Sequence, residues 1–258
     1  MKIISWNVNG IRSAHKKGFL NFLDTQSPDI LGIQEVRAEE EVLPDELRSP
    51  DGYSTVFSAA EKKGYSGVAI FSRTKPIRTW TSLGAEEFDR EGRVLAADFE
   101  DFILYNVYFP NGSGKRDNSR VPYKLDFYEA MLTEINGHRA QGREIIIMGD
   151  YNTAHRELDL ARPKQNRGTS GFLPEECEVF EGYLETGLVD TFRHVHGDKP
   201  DSYTWWSFRS GARARNVGWR IDYILVTPGL IPGLKSADIL NTIMGSDHCP
   251  IEISLKEN

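Results

Sequence analysis

The sequence predicts a mixed α/β fold in a single domain. Short apolar runs of strand length recur throughout its 258 residues, each rich in Ile, Val, Phe or Tyr and bounded by Gly, Asn, Asp or Pro. Helix-like segments lie between some of these runs. Because no low-complexity tract or Gly/Ser linker divides the chain, we expect residues 1–258 to form one domain.

Each predicted element has its own signal. The strand signal occurs, in chain order, in KIISW (2–6), DILGIQ (29–34), SGVAIFS (66–72), LAADF (95–99), FILYNVYF (102–109), EIIIMG (144–149), IDYILV (221–226) and IEISL (251–255). Two segments have helical character, one around Lys124 to Ile135 and one from about Pro174 to Thr186. The second opens with a proline and two glutamates, the composition that a helix N-terminus prefers.

Charge and cysteine content exclude several classes of protein. The formal net charge is −7, so the chain has no polycationic character and would have to meet a nucleic acid through a local basic patch. Two cysteines, Cys177 and Cys249, are too few for a disulfide framework and lie in no CxxC motif, which favours a reducing interior.

Asn7 and Asn9 interrupt the start before a signal-peptide core could form, and no run has the length of a membrane span. We therefore expect a cytoplasmic protein without a membrane partner.

Polar side chains follow four of the predicted strands. An Asn-x-Asn or Gly-Asp after a strand is by itself more often a turn, but four such exits together indicate a site, since ligand sites gather at the strand ends of α/β sheets. In an extended segment residues i and i+2 share a face, so we expect Asn7 with Asn9, and Asp150 with Asn152, each to project to one side. The exits carry Asn7 and Asn9, Gln34 and Glu35, Tyr108 and Asn111, and Asp150 and Asn152.

One carboxylate stands inside an apolar run and requires a partner. Asp222 lies within residues 221–226, where burial of an unpaired carboxylate costs several kcal/mol. His248 follows a Gly-Ser-Asp turn at the entry to the last strand, a context that no other histidine of the chain shares. We therefore predict a pair in which Asp222 orients the imidazole of His248 and raises its pKa.

This set of side chains is suited to phosphate chemistry. Amides and a protonated histidine donate hydrogen bonds to phosphate oxygens, and Glu35 is a hard oxygen ligand for Mg²⁺ or Mn²⁺. The absence of cysteine from the set argues against structural zinc. With Asp150 able to take a proton from an attacking water, the set supplies what metal-assisted phosphodiester hydrolysis needs.

Eight motifs in order identify a resemblance. The segments SWNVNG, LGIQEVR, NVYFPNG, IIMGDYNTAH, SGFLPEE, TWW, NVGWRIDYILV and GSDHCPI, between residues 3 and 251, resemble the exonuclease III/AP endonuclease family of the endonuclease/exonuclease/phosphatase superfamily. The resemblance implies a DNase I-like α/β fold, a four-layered α/β sandwich in which two mixed β-sheets pack together between flanking helices. It also implies an active site at one end of the sheets, which agrees with the polar strand exits.

The resemblance assigns the metal-binding side chains. Glu35 is similar to the family's principal metal ligand, with Asn7 and Asn9 beside it, and Asp247 assists the metal or its waters. The implied cofactor is Mg²⁺, for which Mn²⁺ substitutes.

The resemblance also assigns the groups that act on the phosphate. Asp150 is similar to the family's activator of water or donor to the leaving group, and Asn152 to the amide that holds the phosphate. His248 resembles the histidine of the transition state, with Asp222 as its orienting partner. The attacking hydroxide could arise through Asp150, His248 or the metal. Two further positions, Tyr108 and Asn111, resemble groups that position the phosphate or the nucleophile.

The segment TWWSFRSGARARNVGWRIDY (204–223) indicates the substrate class. Between Trp205 and Arg220 it holds four arginines, three tryptophans and no acid, which suits phosphate contact and base stacking, although a solvated loop with core aromatics is the alternative. In the family, positions resembling Trp205, Trp219 and Ile221 line a pocket for a flipped-out abasic deoxyribose, and Arg209 falls where a side chain wedges into the duplex.

Further DNA contacts are implied outside this segment. Asn166 matches a phosphate-contacting asparagine of the family, and Thr169 stands where some relatives have a second one. The loop from Gly112 to Pro122 is longer than in some relatives, so the family's DNA-inserting arginine corresponds to Arg116 or Lys115, or is absent. These two residues form, with Arg120 and Lys124, a second basic segment that we expect to contact the opposite side of the DNA.

The resulting prediction is a single-domain, monomeric DNA repair nuclease. It hydrolyses the phosphodiester 5′ to abasic sites in duplex DNA and has 3′-5′ exonuclease or 3′-phosphodiesterase activity on damaged 3′ ends. One alternative is a phosphodiesterase or phosphatase of the same superfamily that acts on inositol phosphates or lipids. Another is a catalytically silent nucleic-acid-binding module.

Overall fold

The computed structural model describes residues 1–114 and 117–256. These residues form twelve β-strands, which are β1 (Lys2–Asn7), β2 (Ile30–Gln34), β3 (Ser54–Ser58), β4 (Val68–Ser72), β5 (Arg78–Trp80), β6 (Val94–Asp98), β7 (Ile103–Tyr108), β8 (Ile145–Asp150), β9 (Val189–Asp190), β10 (Asp222–Val226), β11 (Leu234–Ile239) and β12 (Ile251–Leu255). Their α-helices are α1 (Ile11–Lys16), α2 (Phe19–Gln26), α3 (Asp45–Arg48), α4 (Glu86–Asp89), α5 (Val121–Arg139), α6 (Pro163–Asn166), α7 (Pro174–Glu185) and α8 (Thr191–His196). None of these helices is both long enough and apolar enough to span a bilayer.

The strands form two mixed six-stranded sheets. The first has the order β11-β12-β1-β2-β4-β3, in which only β1 and β2 run parallel. The second has the order β5-β6-β7-β8-β10-β9, in which only β7 and β8 run parallel. The parallel pair therefore lies near the middle of each sheet, and its carboxyl ends reach one edge together.

Alternation along the strands builds three apolar layers. In β1, Ile3 packs into the core between the two sheets, whereas Ile4 packs with helices α1 to α3 on the outer face of the first sheet. In β7, Leu104 joins the core between the sheets, whereas Tyr105 packs with α5 and α7 outside the second sheet. The central strands are buried on both faces, which explains their nearly continuous apolar sequences. The predicted four-layered α/β sandwich is confirmed.

The sequence predicts the central strands better than the edges. All eight predicted strands are present, and the two predicted helices extend over α5 and α7. The strands that the sequence analysis did not predict are β3, β5, β9 and β11, which are short, partly polar or both. The assignment of residues 1–258 to a single catalytic domain stays a prediction.

The two sheets approach closely at Gly32 in β2. A Cβ atom there would lie 2.3 Å from Cε of Met148 and 2.8 Å from Cγ of Asn106. The Asn106 amide bridges the sheets, since it accepts a hydrogen bond from Gln34 (2.6 Å) and donates to the carbonyls of Ile33 (3.0 Å) and Ala69 (2.9 Å). A side chain at position 32 would displace this bridge.

We expect Gly32→Ala to lower the free energy of unfolding by about 1–3 kcal/mol, because the added methyl group overpacks the contact between the sheets. The matched control is Gly137→Ala in α5, where a Cβ meets nothing within 4 Å. That change should raise the free energy of unfolding by about 0.5–1 kcal/mol through helix propensity. Urea denaturation measures both values, and equal effects of the same sign would contradict the close approach of the sheets.

Candidate active site

The polar strand exits meet at one edge of the sandwich. β1, β2, β7 and β8 end there, and β10 begins there beside β8, with Asp222 directly opposite Asp150 in the ladder. The exits surround a cavity of about 320 Å³. Its lining includes predicted site residues from both sheets and from three loops, namely Asn9, Glu35, Tyr108, Asn111, Asp150, Asn152, Thr169, Trp205, Trp219, Ile221, Asp247 and His248.

Two carboxylates share one amide at the base of the cavity. Nδ2 of Asn7 donates to Oε1 of Glu35 (2.9 Å) and to Oδ2 of Asp150 (2.8 Å). All three residues are buried, and burial raises the pKa of Asp150 to about 7 against the opposing charge of His248. Arg37 pairs with the outer oxygen of Glu35. The arrangement concentrates negative charge, as a cation site requires.

The predicted pair of Asp222 and His248 is present. Nδ1 of His248 lies 2.9 Å from Oδ2 of Asp222, and Nε2 lies 3.8 Å from Oδ2 of Asp150. Burial by itself lowers the pKa of His248, but the carboxylates of Asp222 and then Asp150 outweigh it and raise this pKa to about 10. The ring is therefore an imidazolium at neutral pH. Thr204 Oγ1 donates to Oδ2 of Asp222 (2.6 Å) and holds the carboxylate in place.

Glu35, Asp150 and His248 form the group that could hold a metal ion. Each offers one ligand atom, and these atoms lie within 4.8 Å of one another. Because an imidazolium has no free lone pair at its protonated nitrogens, the two carboxylates are the oxygen ligands that fit a hard cation. The predicted role of Asp150 is to act on the phosphate, whereas the structure also brings its carboxylate beside that of Glu35.

The other three predicted metal ligands make hydrogen bonds within the protein. Oδ1 of Asn7 accepts from the backbone N–H of Asn9 (3.0 Å), and Nδ2 of Asn9 donates to Oδ1 of Asp247 (2.8 Å). Oδ2 of Asp247 accepts from the indole N–H of Trp205 (3.1 Å). Asn7 lies at the base of the site beside Glu35, and Asn9 and Asp247 line the cavity. The role of these three side chains as metal ligands stays a prediction.

The prediction that Asn7 with Asn9, and Asp150 with Asn152, share one face of an extended segment is wrong. The strands end at Asn7 and Asp150, and the chain then turns, with Asn9 (φ 47°) and Asn152 (φ 51°) in the left-handed region. The side chain of the first residue in each pair accepts a hydrogen bond from the N–H of the second, as in an Asx turn. Turn geometry, rather than the shared face of an extended strand, brings each pair into the cavity.

Donors to a phosphate surround the carboxylates. Burial raises the pKa of Tyr108 well above its usual value, and the Glu35 carboxylate adds to this, so its hydroxyl stays a neutral donor. Asn111 Nδ2 donates to Oδ1 of Asn152 (3.2 Å), which links two of the predicted phosphate-binding amides. Arg93, which no sequence motif indicates, lies with its guanidinium 4.8 Å from the Tyr108 ring and donates to the Tyr108 carbonyl (3.1 Å).

The predicted apolar pocket forms one wall of the cavity. The rings of Trp205 and Trp219 meet edge to face at 6.4 Å, and Ile221 packs in the cluster beneath them with Phe172. Gly171 lies against the opposite side of the Trp219 ring, where a Cβ would approach it to 3.2 Å. The pocket opens directly beside His248, whose ring is 6.5 Å from that of Trp205.

Two of the predicted DNA contacts lie outside the cavity. Arg209 is exposed on the turn Arg209–Gly211, next to Phe208, which is 70% exposed. Asn166 ends α6 and donates to the carbonyl of Arg162 (2.8 Å). Lys115 and Arg116 lie outside the described residues.

Lys124 contradicts the prediction of a second basic segment. Its side chain is fully buried and faces Glu176, because the helix turns this position toward the protein interior. It therefore offers no contact to DNA. Arg120, in contrast, remains at the surface.

Comparisons with known proteins agree with this geometry. The model of the Endonuclease/Exonuclease/phosphatase family matches residues 4–248. An exodeoxyribonuclease of Bacillus subtilis is 43% identical over 254 residues, which cover 98% of this chain and 98% of that protein. The DNA repair nuclease APEX1 of Danio rerio is 42% identical over 257 residues, which cover 99% of this chain and 82% of that protein. An AP endonuclease structure from Archaeoglobus fulgidus matches with a TM-score of 0.90 and 30% identity over 100% of both chains.

These matches span the strands, the turns and both sides of the cavity. They confirm the resemblance that the eight sequence motifs indicate. This chain belongs to the exonuclease III/AP endonuclease family of DNA repair nucleases, a branch of the endonuclease/exonuclease/phosphatase family.

Proposed function

We propose that this chain is a DNA repair nuclease that hydrolyses the phosphodiester 5′ to abasic sites in duplex DNA and also trims damaged 3′ ends. One observation carries the proposal. The buried group of Glu35, Asp150 and His248 opens directly onto an apolar pocket walled by Trp205 and Trp219. Phosphoester chemistry and recognition of a bare sugar therefore share one cavity.

The cofactor that fits the site is Mg²⁺, with Mn²⁺ as its substitute. Glu35 and Asp150 would hold it, since both present carboxylate oxygens at the base of the cavity. When bound, a divalent cation neutralises charge that develops on the phosphate oxygens. Its charge also favours the ionised form of Asp150, whose pKa burial raises to about 7 in the protein alone.

The side chains of this protein then have distinct tasks in hydrolysis. Asp150 in its carboxylate form accepts one proton of the attacking water, whose oxygen forms a new bond to phosphorus. The bond from phosphorus to the 3′ oxygen breaks, and the 3′ oxygen leaves as an alkoxide that takes a proton from solvent water, which gives a 3′ hydroxyl and a 5′ phosphate. The imidazolium of His248 donates to a non-bridging oxygen that gains charge. Asn152, Tyr108 and Asn111 position the phosphate through neutral donors.

The pocket accounts for selectivity toward a missing base. Trp205, Trp219 and Ile221 present mainly apolar surface, and the indole N–H of Trp205 is already donated to Asp247, so the wall offers little to the polar edge of a normal base. A deoxyribose without a base is small enough to enter. Arg209 and Phe208 are exposed and would contact the duplex that the flipped sugar leaves.

The two alternative functions are each disfavoured by a specific feature. A superfamily member acting on inositol phosphates or lipids would share Glu35, Asp150, Asp222 and His248, but it would not require the segment rich in arginine and tryptophan at residues 205–220. A silent binding module would be expected to have lost part of the Glu35, Asp150 and His248 group, and all three are present. Monomeric state and cytoplasmic location stay predictions.

The first test is cleavage of a labelled duplex with one central abasic-site analogue, beside an undamaged duplex. We expect a single cut immediately 5′ to the lesion in Mg²⁺ or Mn²⁺, and none in EDTA. The control Asp150→Ala should lose at least about 100-fold in rate, because it removes the proton acceptor. If both duplexes stay intact in Mg²⁺ and in Mn²⁺, the DNA substrate is wrong and small phosphodiesters become the alternative.

The pair of Asp222 and His248 predicts a shift in pH dependence. In the wild type, kcat should fall as pH rises through about 10, where His248 loses its proton. Asp222→Asn removes the carboxylate that holds this proton, so the pKa of His248 falls and the loss of activity moves to lower pH.

We also expect kcat of Asp222→Asn at neutral pH to drop by about 100-fold, with little change in affinity for the duplex. Rate profiles from pH 6 to pH 10.5 measure both effects. Thr204→Val, which removes a hydrogen bond to Asp222 but keeps the charge, should shift the profile less. An alkaline limb that stays in place in Asp222→Asn would contradict the assigned protonation of His248.

A further inference from the structure

A fully buried ion pair connects two helices behind the active-site turn. Lys124 of α5 is 0% exposed and Glu176 of α7 is 1% exposed. Nζ of Lys124 lies 2.6 Å from Oε1 of Glu176. Neither residue lines the cavity, so neither belongs to the group that touches substrate. We propose that Lys124 and Glu176 are positioning residues for phosphodiester hydrolysis, an inference that rests on the proposed nuclease function.

The lysine arm of the pair reaches the turn that carries Asn152. Nζ of Lys124 donates to the main-chain carbonyl of Asn152 at 2.7 Å. Asn152 has a φ of 51°, a left-handed conformation that needs support from its surroundings in a residue other than glycine. Its N–H donates to Oδ1 of Asp150 (2.8 Å), and its side chain donates to the carbonyl of Phe109 (2.9 Å).

The same short path fixes the carboxylate that accepts the proton. Lys124 donates a hydrogen bond to the carbonyl of Asn152, and the N–H of Asn152 donates to Oδ1 of Asp150. The other carboxylate oxygen, Oδ2 of Asp150, accepts from Nδ2 of Asn7. An ammonium group that donates to the turn from behind therefore limits rotation of the Asp150 side chain. Catalytic groups must be held within about 0.5 Å of their working position, and support from behind the turn supplies that restraint.

The glutamate arm of the pair reaches the opposite wall of the cavity. Oε1 of Glu176 accepts from Oγ of Ser170 (2.9 Å), and Oε2 accepts from the N–H groups of Gly171 (2.5 Å) and Leu173 (3.1 Å). Gly171 lies against the Trp219 ring and near the Asn152 carbonyl, where an added Cβ would approach them to 3.2 Å and 3.1 Å. One carboxylate thus holds the segment that backs the sugar pocket.

The two arms keep the pocket and the hydrolytic turn at a fixed separation. A buried ion pair is by itself weak support for stability, because burial removes solvation from both charges. Burial indeed lowers the pKa of Lys124 even with Glu176 beside it. Here, however, both charged groups also make hydrogen bonds to the active site, Lys124 to the turn at Asn152 and Glu176 to the 170–173 segment. In the proposed function these two segments meet at the scissile phosphate. Their geometry therefore matches a role in aligning a sugar in the pocket with Asp150.

Lys124→Met separates this role from folding of the 170–173 segment. In this variant Glu176 keeps the donors from Ser170, Gly171 and Leu173, whereas the carbonyl of Asn152 loses its charged donor. We expect kcat on the abasic duplex to fall by about 10- to 100-fold, because a displacement of the order of 1 Å has effects of this size. Affinity for the same duplex should change by less than about twofold, since no DNA-contacting group is removed. Lys124→Arg, which keeps a charged donor, should recover most of kcat.

Met131→Ala is the matched control for a general loss of stability. Met131 is a buried core residue seven positions further along α5, and its side chain contributes to the core outside the second sheet. All variants are assayed at equal distance below their midpoints of thermal unfolding. A Lys124→Met variant that retains kcat within about twofold of the wild type, or that loses no more than Met131→Ala, overturns the positioning role.

A second variant and a wild-type assay complete the experiment. If Lys124→Met does not fold, Glu176→Gln serves instead, since it leaves the ammonium without its counter-charge while keeping the side-chain size. It should show the same loss of kcat, and an unchanged kcat overturns the proposal.

The wild type is assayed first on the abasic duplex. Failure to cut there defeats the proposed function and the inference together, whereas wild-type cleavage with unaffected variants defeats the inference alone.

Discussion

His248 lies between two buried aspartates, and this contact holds the active site together. Antiparallel pairing of β8 with β10 sets Asp150 directly opposite Asp222, so two carboxylates are buried side by side. Such a pair is costly unless a positive charge lies between them. The imidazolium of His248 supplies this charge, with Nδ1 on Asp222 and Nε2 toward Asp150. Glu35 adds a further carboxylate, and the excess of negative charge leaves room for a divalent cation.

The fold serves this electrostatic arrangement in a simple way. Each sheet has one parallel pair near its centre, and the carboxyl ends of both pairs reach the same edge. Glu35 and Asn7 come from the first sheet, and Asp150 and Asp222 come from the second. The site therefore forms only when the sheets are packed together, and the Asn106 bridge across Gly32 helps to fix their distance. Behind the turn, Lys124 and Glu176 extend the same restraint to the sugar pocket.

The sequence predicts the central part of this arrangement for physical reasons. Central strands are apolar on both faces, so their runs are recognisable, and an aspartate in such a run must have a partner, which leads to His248. Edge strands such as β3 and β11 are only partly buried and mix polar with apolar residues, so they lack this signal. The left-handed turns at Asn9 and Asn152 were missed because an extended strand exit and an Asx turn have the same composition.

Contacts between distant segments were not accessible from one sequence. Lys124 was expected to contact DNA because it follows other basic residues in the segment from Lys115 to Lys124, and only the packing of α5 on α7 shows that it faces Glu176. The proximity of Asp150 to Glu35 depends in the same way on how two sheets meet. Arg93 has no motif of its own, and its position over the Tyr108 ring follows from strand register alone.

The protonation state of His248 decides how the active site works, and NMR titration of its imidazole nitrogens measures it. In the protein without metal, we expect both ring nitrogens to stay protonated through neutral pH, with titration near pH 10. The other five histidines provide internal references in the same spectrum. A His248 ring that titrates near its ordinary pKa of about 6.5 would contradict the account. The two aspartates would then have to share a proton of their own, and His248 would be a neutral ligand rather than a donor to the phosphate.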